Sequence, residues 1–185
     1  VVASTAASVV IEAAVTANSN SSGIAVLNDA LIEARANVTA NSNGHAGILA
    51  SRGGKFVMSA GALSATSTTS YALLANDRGT ITFNGSSFTL SNTANNSFAV
   101  LAQTNSHISL APNANSSLNC TGTTQTAGWT ATLQSSIVFN TPASVTVSTQ
   151  NCKVPVNLYV HGAFIDAGSG PRSVSGQSQP VSAQF

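Results

Sequence analysis

The chain repeats its apolar positions while replacing nearly everything between them. Tyr71-Ala-Leu-Leu-Ala75 returns as Phe98-Ala-Val-Leu-Ala102, and Ile81-Thr-Phe83 returns as Ile108-Ser-Leu110. Setting the segments that begin at Gly23, Gly47, Ala72, Ala99 and Gly128 beneath one another gives a column of Ile24, Ile48, Leu73, Val100 and Trp129. Two residues on, the column reads Val26, Ala50, Ala75, Ala102 and Ala131. A second apolar pair follows in each unit: Ile32 and Ala34, Phe56 and Met58, Ile81 and Phe83, Ile108 and Leu110, Ile137 and Phe139. A third pair closes several units: Phe88 and Leu90, Leu118 and Cys120, Val145 and Val147. The first column advances in steps of 24, 25, 27 and 29 residues. A shorter echo, Val15-Thr-Ala-Asn-Ser-Asn20, recurs as Val38-Thr-Ala-Asn-Ser-Asn43.

The spacing of two within each pair is the side-chain period of a strand. Turn formers separate the pairs: Arg52-Gly-Gly54, Asp77-Arg-Gly79, Asn84-Gly-Ser86 and Asn92-Thr-Ala-Asn-Asn96. Gly and Asn reach left-handed backbone angles at low cost and so mark corners. No stretch keeps a capped helical stripe. Residues 28–36, "NDALIEARA", could pass for a helical turn, but the columns place them at a corner and a second strand. Three short strands and three corners per coil of about 25 residues predict an all-β fold, a parallel β-helix of about five or six coils. A lone coil cannot bury its inward residues, whereas stacked coils bury them as ladders. Inward positions therefore stay apolar while corners vary in sequence and length. A β-sandwich also has many short strands, but its strands need not align in repeated columns.

The expected solenoid covers residues 1–165, with 154–165, "VPVNLYVHGAFI", as a final strand or cap. Val1-Val2-Ala3 reads as mid-structure. Residues 166–185, rich in Gly, Ser, Pro and Gln, are expected to cap an edge or link onward.

The first strand of each coil departs from alternation. In Ala46-Gly-Ile-Leu-Ala50, Tyr71-Ala-Leu-Leu-Ala75 and Phe98-Ala-Val-Leu-Ala102, apolar residues are consecutive. With Ile48, Leu73 and Val100 inward, Leu49, Leu74 and Leu101 form an outward aliphatic stripe. Such a stripe fits lateral packing against a second copy or a neighbouring domain. A strand bent near its corner, turning both columns partly inward, is the alternative.

Composition changes the picture in one respect. Only 6% of residues are charged although 43% are hydrophobic, so Ser, Thr, Asn and Gly keep the surface wet. The net charge is +1, and Arg35, Arg52, Lys55, Arg78, Lys153 and Arg172 form no run. Backbone-driven nucleic-acid binding is therefore not expected. No apolar run of about 18 residues suits a membrane helix, and no charged and apolar leader opens the chain.

The units Ala46-Gly-Ile-Leu-Ala-Ser-Arg-Gly-Gly54, Tyr71-Ala-Leu-Leu-Ala-Asn-Asp-Arg-Gly-Thr-Ile-Thr82 and Phe98-Ala-Val-Leu-Ala102 resemble the coil signature of bacterial autotransporter passenger domains and filamentous-haemagglutinin-type adhesins. The resemblance covers residues 23–150 or so. It implies export, right-handed winding and a role in adhesion, aggregation or display. Two features depart from it. The Gly-Gly corner survives only at Gly53-Gly54, becoming Arg78-Gly79 and Asn105-Ser106, and no membrane-barrel region follows. Phage tailspikes and tail fibres use similar solenoids, often as trimers.

Candidate chemistry is sparse. Glycoside hydrolysis needs two facing carboxylates about 5–9.5 Å apart. Of Glu12, Asp29, Glu33, Asp77 and Asp166, only Asp29 and Asp77 share a corner, about 10 Å apart over two coils. Arg52 lies between them, and a surface ion pair from Arg52 to Asp77 is the simpler reading. A calcium cage would need more carboxylates than the chain supplies. His45, His107 and His161 fall in different columns, so no metal site is expected, and no Ser stands out as a nucleophile. Sequons at Asn20, Asn37, Asn84, Asn95, Asn115 and Asn119 are what this composition produces by chance. Cys120 sits at an inward third-strand position, and Cys152 follows slightly more than one coil later. A disulfide across adjacent coils and a reduced, buried Cys120 both fit.

The expected protein is an exported extracellular or cell-surface segment, adhesin-like or structural, with no catalysis and no cofactor. It would bind a surface glycan or protein receptor, with self-association through the stripe. The alternative is a tailspike or fibre segment, trimeric, binding or degrading surface polysaccharide. An ice-binding solenoid would need a flat face of regularly spaced Thr, and the columns at Thr80 and Thr82 do not persist.

Overall fold

In a computed structural model the chain is a β-solenoid of about six turns with three strands per coil. The structure describes residues 1–19, 21–42, 44–122, 127–159, 162–166 and 172–175. Three parallel sheets, each of seven strands among the described residues, form its faces. The first sheet stacks Val2–Ala3, Ser22–Leu27, Ala46–Ser51, Tyr71–Asn76, Phe98–Gln103, Ala127–Thr132 and Val154–Tyr159. The second stacks Ser8–Ile11, Leu31–Ala34, Lys55–Met58, Thr80–Phe83, His107–Leu110, Ser136–Phe139 and Phe164–Asp166. The third stacks Val15–Ser19, Val38–Ser42, Leu63–Ser67, Phe88–Asn92, Ser116–Cys120, Val147–Gln150 and Arg172–Ser175. Residues 28–36 are corner and strand, with Leu31–Ala34 in the second sheet.

The first two apolar columns are the inward ladders. Leu73 pairs with Ile48 below and Val100 above, and Val100 pairs with Trp129. Ile81 and Phe83 pair with Phe56 and Met58 on one side and with Ile108 and Leu110 on the other. All are buried in one continuous core. Each fully buried aliphatic or aromatic side chain contributes about 1.5–3 kcal/mol relative to exposure. Toward the C-terminal end the channel fills with rings. Phe83 meets Phe88 edge-on at 5.7 Å, Phe88 meets Trp129 at 6.2 Å, and Trp129 meets Phe139 at 4.9 Å. Edge-to-face contacts set the positive ring edge against the negative face, adding about 0.5–1.5 kcal/mol each.

The third sheet corrects the column alignment. Leu118 pairs with Leu90 and not with Phe88, and Phe88 instead faces Ser116, a shift of two residues. At the next step Val147 pairs with Ser116 and not with Cys120, and Leu118 with Thr149 and not with Val145, a shift of four residues. The cause is polar residues at inward positions. Ser116 is buried, accepts from the Phe88 N–H at 3.0 Å and donates to the Ala114 carbonyl at 3.0 Å. Thr149 is buried and accepts from Trp129 Nε1 at 2.7 Å. A hydrogen-bonded hydroxyl tolerates burial that an unpaired one would not, so counting apolar residues alone missed these rungs.

The C-terminal boundary is corrected too. Phe164–Asp166 continues the second sheet and Arg172–Ser175 continues the third, pairing with Val147–Gln150. The solenoid therefore passes residue 165, and residues 176–185 lie outside the described residues.

The corner between first and second sheets is built from two consecutive left-handed residues: Thr5-Ala6, Asn28-Asp29, Arg52-Gly53, Asp77-Arg78, Thr104-Asn105 and Leu133-Gln134. Only one of these twelve positions is Gly. Each non-glycine residue there costs roughly 1–2 kcal/mol. The ladder offsets this by running through the corner. Asp29 N–H bonds the Arg52 carbonyl, Gly53 the Asp77 carbonyl, Arg78 the Thr104 carbonyl and Asn105 the Leu133 carbonyl, each at 3.0 Å. Gly79, which the sequence suggests for a left-handed turn, has another reason to be small. A Cβ there would lie 2.1 Å from the Ala50 carbonyl oxygen. At the opposite corner a Cβ on Gly47 would come within 2.7 Å of the Ala72 carbonyl oxygen, which keeps the column of Gly23, Gly47, Ala72, Ala99 and Gly128 small.

Candidate interaction surfaces

With the interior shared by every coil, the outer faces are what can differ. On the third sheet one outward column reads Thr16, Thr39, Ser64, Thr89, Ser117 and Ser148, each in register with the next. The other reads Asn18, Asn41, Thr66, Ser91, Asn119 and Gln150. All are hydroxyl or amide residues. Thr16, Asn18, Thr89 and Gln150 are exposed, and the other described residues of the two columns are half-buried. Asn41 Nδ2 donates to Asn18 Oδ1 at 3.0 Å, and Asn151 Nδ2 to Asn119 Oδ1 at 2.8 Å. Among the described residues, the hydroxyls of Thr16, Thr39, Ser64, Thr66, Thr89, Ser91 and Ser117 have no intramolecular hydrogen bond. These columns, unlike those at Thr80 and Thr82, persist. Sequence reasoning missed them, although the recurring alternation in "VTANS", "VTANS", "LSATS" and "FTLSN" carries the signal.

The inward ends of the same strands behave oppositely. Ser67 Oγ accepts from the Thr69 and Ser70 N–H groups at 3.4 and 3.1 Å. Ser42 does the same for Gly44 and His45 and donates to the Ser21 carbonyl. Asn92 accepts from Ala94 N–H at 2.8 Å and donates to Phe98 O at 3.1 Å. These buried groups cap the corner that leads into the first sheet. In the next rung the position is Cys120, which is joined to Cys152 by a disulfide, with Cα atoms 4.9 Å apart. The bond staples adjacent coils.

On the first sheet, Leu49, Leu74 and Leu101 are in register on the outer side, in a cluster separate from the core. The stripe is not open to solvent along its length. Leu74 and Leu101 are only 3% and 2% exposed, and Tyr71, Phe98 and Leu49 pack against them. His45 meets the Tyr71 ring edge-on at 5.7 Å. The sequence showed the stripe but not its cover, because Tyr71 and Phe98 stand three residues before the Leu they shield. Thr130 continues the column, fully buried, and its hydroxyl has no hydrogen-bond partner.

The described charges gather elsewhere. Arg35 bridges Glu33 at 2.7 Å and Glu12 at 2.9 Å beside the second sheet. The hydrogen bond from Arg35 holds the Glu33 carboxyl below its ordinary range and raises Arg35 in turn. Asp77 pairs with Arg78 at 3.6 Å and not with Arg52, correcting the expected ion pair. The left-handed corner turns Asp77 and Arg78 outward as immediate neighbours, so the contact forms within one rung. Such exposed pairs contribute at most about 1 kcal/mol.

His107 Nδ1 lies 2.6 Å from Ser136 Oγ on the second sheet, and partial burial lowers its pKa. Its neighbours in that column are Thr80 and Ser136. His161 and the sequon at Asn20 lie outside the described residues. No group of three His, Cys, Asp or Glu side chains converges among the described residues. A shallow depression of about 340 Å³ lies over the left-handed corner, lined by Thr104, Asn105, Leu133 and Gln134, without a titratable group. No protein-family model, curated protein or solved structure matches the chain.

Proposed function

We propose that the chain is an exported, interaction-based solenoid, adhesin-like, that engages its partner across a broad face instead of turning over a substrate in a pocket. The observation that carries this reading is the outer face of the third sheet, whose hydroxyl and amide columns run unbroken through six rungs. A solenoid repeats one surface chemistry along its axis, which suits extended ligands. The interior ladder requires only inward residues, so a uniform outer face is not demanded by folding. The disulfide between Cys120 and Cys152 is in keeping with an oxidising, extracellular setting. Assembly through the first sheet is less favoured, because a partner there would have to displace Tyr71 and Phe98 from Leu74 and Leu101.

The test is adhesion. Beads coated with the protein should bind target cells or their surface glycans, and free protein should compete. Release of reducing ends from any surface polysaccharide during the same incubation would overturn the non-catalytic reading. Beads that bind nothing above an uncoated control would overturn the adhesive one.

A further inference from the structure

We infer that the outer face of the third sheet binds an uncharged linear polysaccharide laid along the solenoid axis. This inference rests on the adhesin-like reading above and narrows it to one partner.

Charge decides first. None of the twelve described residues in the two outward columns is ionisable. Asp29, Arg52, Asp77 and Arg78 sit at the left-handed corner, and Glu33 and Lys55 belong to the second sheet. A polyanionic glycan would find no cation among the described side chains of these columns, and a basic partner no carboxylate; the exposed Glu12 and Arg35 at the corner before the third sheet pair with each other. A neutral polymer matches it without desolvating an ion on either side.

Hydrogen-bonding capacity decides second. Hydroxyls and amides both donate and accept, as sugar hydroxyls do. The seven hydroxyls without an intramolecular partner are available to whatever displaces their water. Each exchange of water for a sugar hydroxyl contributes only about 1 kcal/mol. The face compensates by repetition, offering similar groups every 4.8 Å or so along the axis. A polymer crossing several rungs binds by many such contacts at high effective concentration.

Other partners fit less well. Neither column holds an aromatic or large aliphatic side chain, the anchor a protein interface centres on. An ice plane would favour Thr, whose branched side chain fixes its hydroxyl. Thr occupies only Thr16, Thr39, Thr66 and Thr89, with Ser, Asn or Gln elsewhere.

The experiment is co-sedimentation of the intact, oxidised chain with insoluble neutral β-glucan, at low salt and at high salt. The expected result is saturable binding that salt leaves unchanged. The triple variant Thr39→Arg, Ser64→Arg, Thr89→Arg should weaken binding by at least about tenfold, because it interrupts three consecutive rungs. The control triple Val57→Arg, Thr82→Arg, Ser109→Arg places the same charges on the second sheet, whose residues are in register and half-buried. It should bind as the parent does, and matching circular dichroism of both variants checks folding. Binding lost equally in both triples, abolished by salt, or absent for every neutral polysaccharide tried overturns the inference. So does ice-growth inhibition that only the first triple abolishes, in the absence of glucan binding. If cell adhesion survives and is lost only in the first triple while glucan never binds, the partner is a protein. The inference then fails and the adhesive reading stands. If neither cells nor glucan bind, both fail.

Discussion

The first and third sheets share seven rungs and a single core, yet their outer faces are opposites. On the first sheet, Leu74 and Leu101 lie outside the core and are still almost fully covered by Tyr71 and Phe98. On the third, Ser64, Thr89 and Ser117 lie outside the core with nothing bonded to their hydroxyls. Folding alone explains the first surface, since it buries apolar area much as a small second core does. It gives no reason for the second. In a solenoid, inward columns report stability, and open outward columns are where a role beyond stability can be written.

The contrast implies a ranking of substitutions. Leu101→Ala should be the most damaging, costing roughly 2–5 kcal/mol, because it empties a covered site as an inward Leu73→Ala would. Urea unfolding would show this as a lowered midpoint at unchanged slope. A cost near that of a surface change would mean that Tyr71 and Phe98 do not cover the stripe. Opening the disulfide comes next. It closes a separation of 32 residues, and its loss should cost about 2–4 kcal/mol. Hydrogen exchange should then quicken in the C-terminal rungs first, as expected for nearest-neighbour coupling.

Ser67→Ala should follow, at about 1–3 kcal/mol, because the Thr69 and Ser70 N–H groups lose their buried acceptor. Outward on the same strand, Ser64→Ala should change stability by no more than about 0.5 kcal/mol. Equal effects from these two serines would erase the distinction between capping and display. The smallest effect concerns His107. Burial lowers its folded pKa, so the unfolded chain takes up the proton first as pH falls. Stability from this group is complete above the unfolded value near 6.5 and declines from there down to the folded value. His107→Gln should flatten a melting-temperature profile in that window, and an unchanged profile would show the ring to be solvated.

The same division governs how much of this could be read from sequence. Ile24 to Trp129 and Ile32 to Phe139 align without error because those inward residues are apolar in every coil. The third sheet slipped by two residues at Ser116 and by four at Thr149, where these side chains turn inward on hydrogen bonds that hydrophobicity cannot reveal. The stripe was visible as Leu49, Leu74 and Leu101, but its cover depends on how Tyr71 and Phe98 lean. The hydroxyl face was hidden for a different reason. In a chain so rich in Ser, Thr and Asn, only the correct register separates a column from coincidence.

That register is the account's central claim, and cysteine cross-linking across the outer face of the third sheet tests it most directly. The pair Thr89→Cys and Ser117→Cys faces across adjacent rungs, close to the Cα separation a disulfide spans, about 4.4–6.8 Å. Oxidation followed by peptide mapping should link these two, while Thr89→Cys with Asn119→Cys should remain unlinked. Efficient linkage of the second pair and not the first would shift the strand by two residues and break the hydroxyl columns.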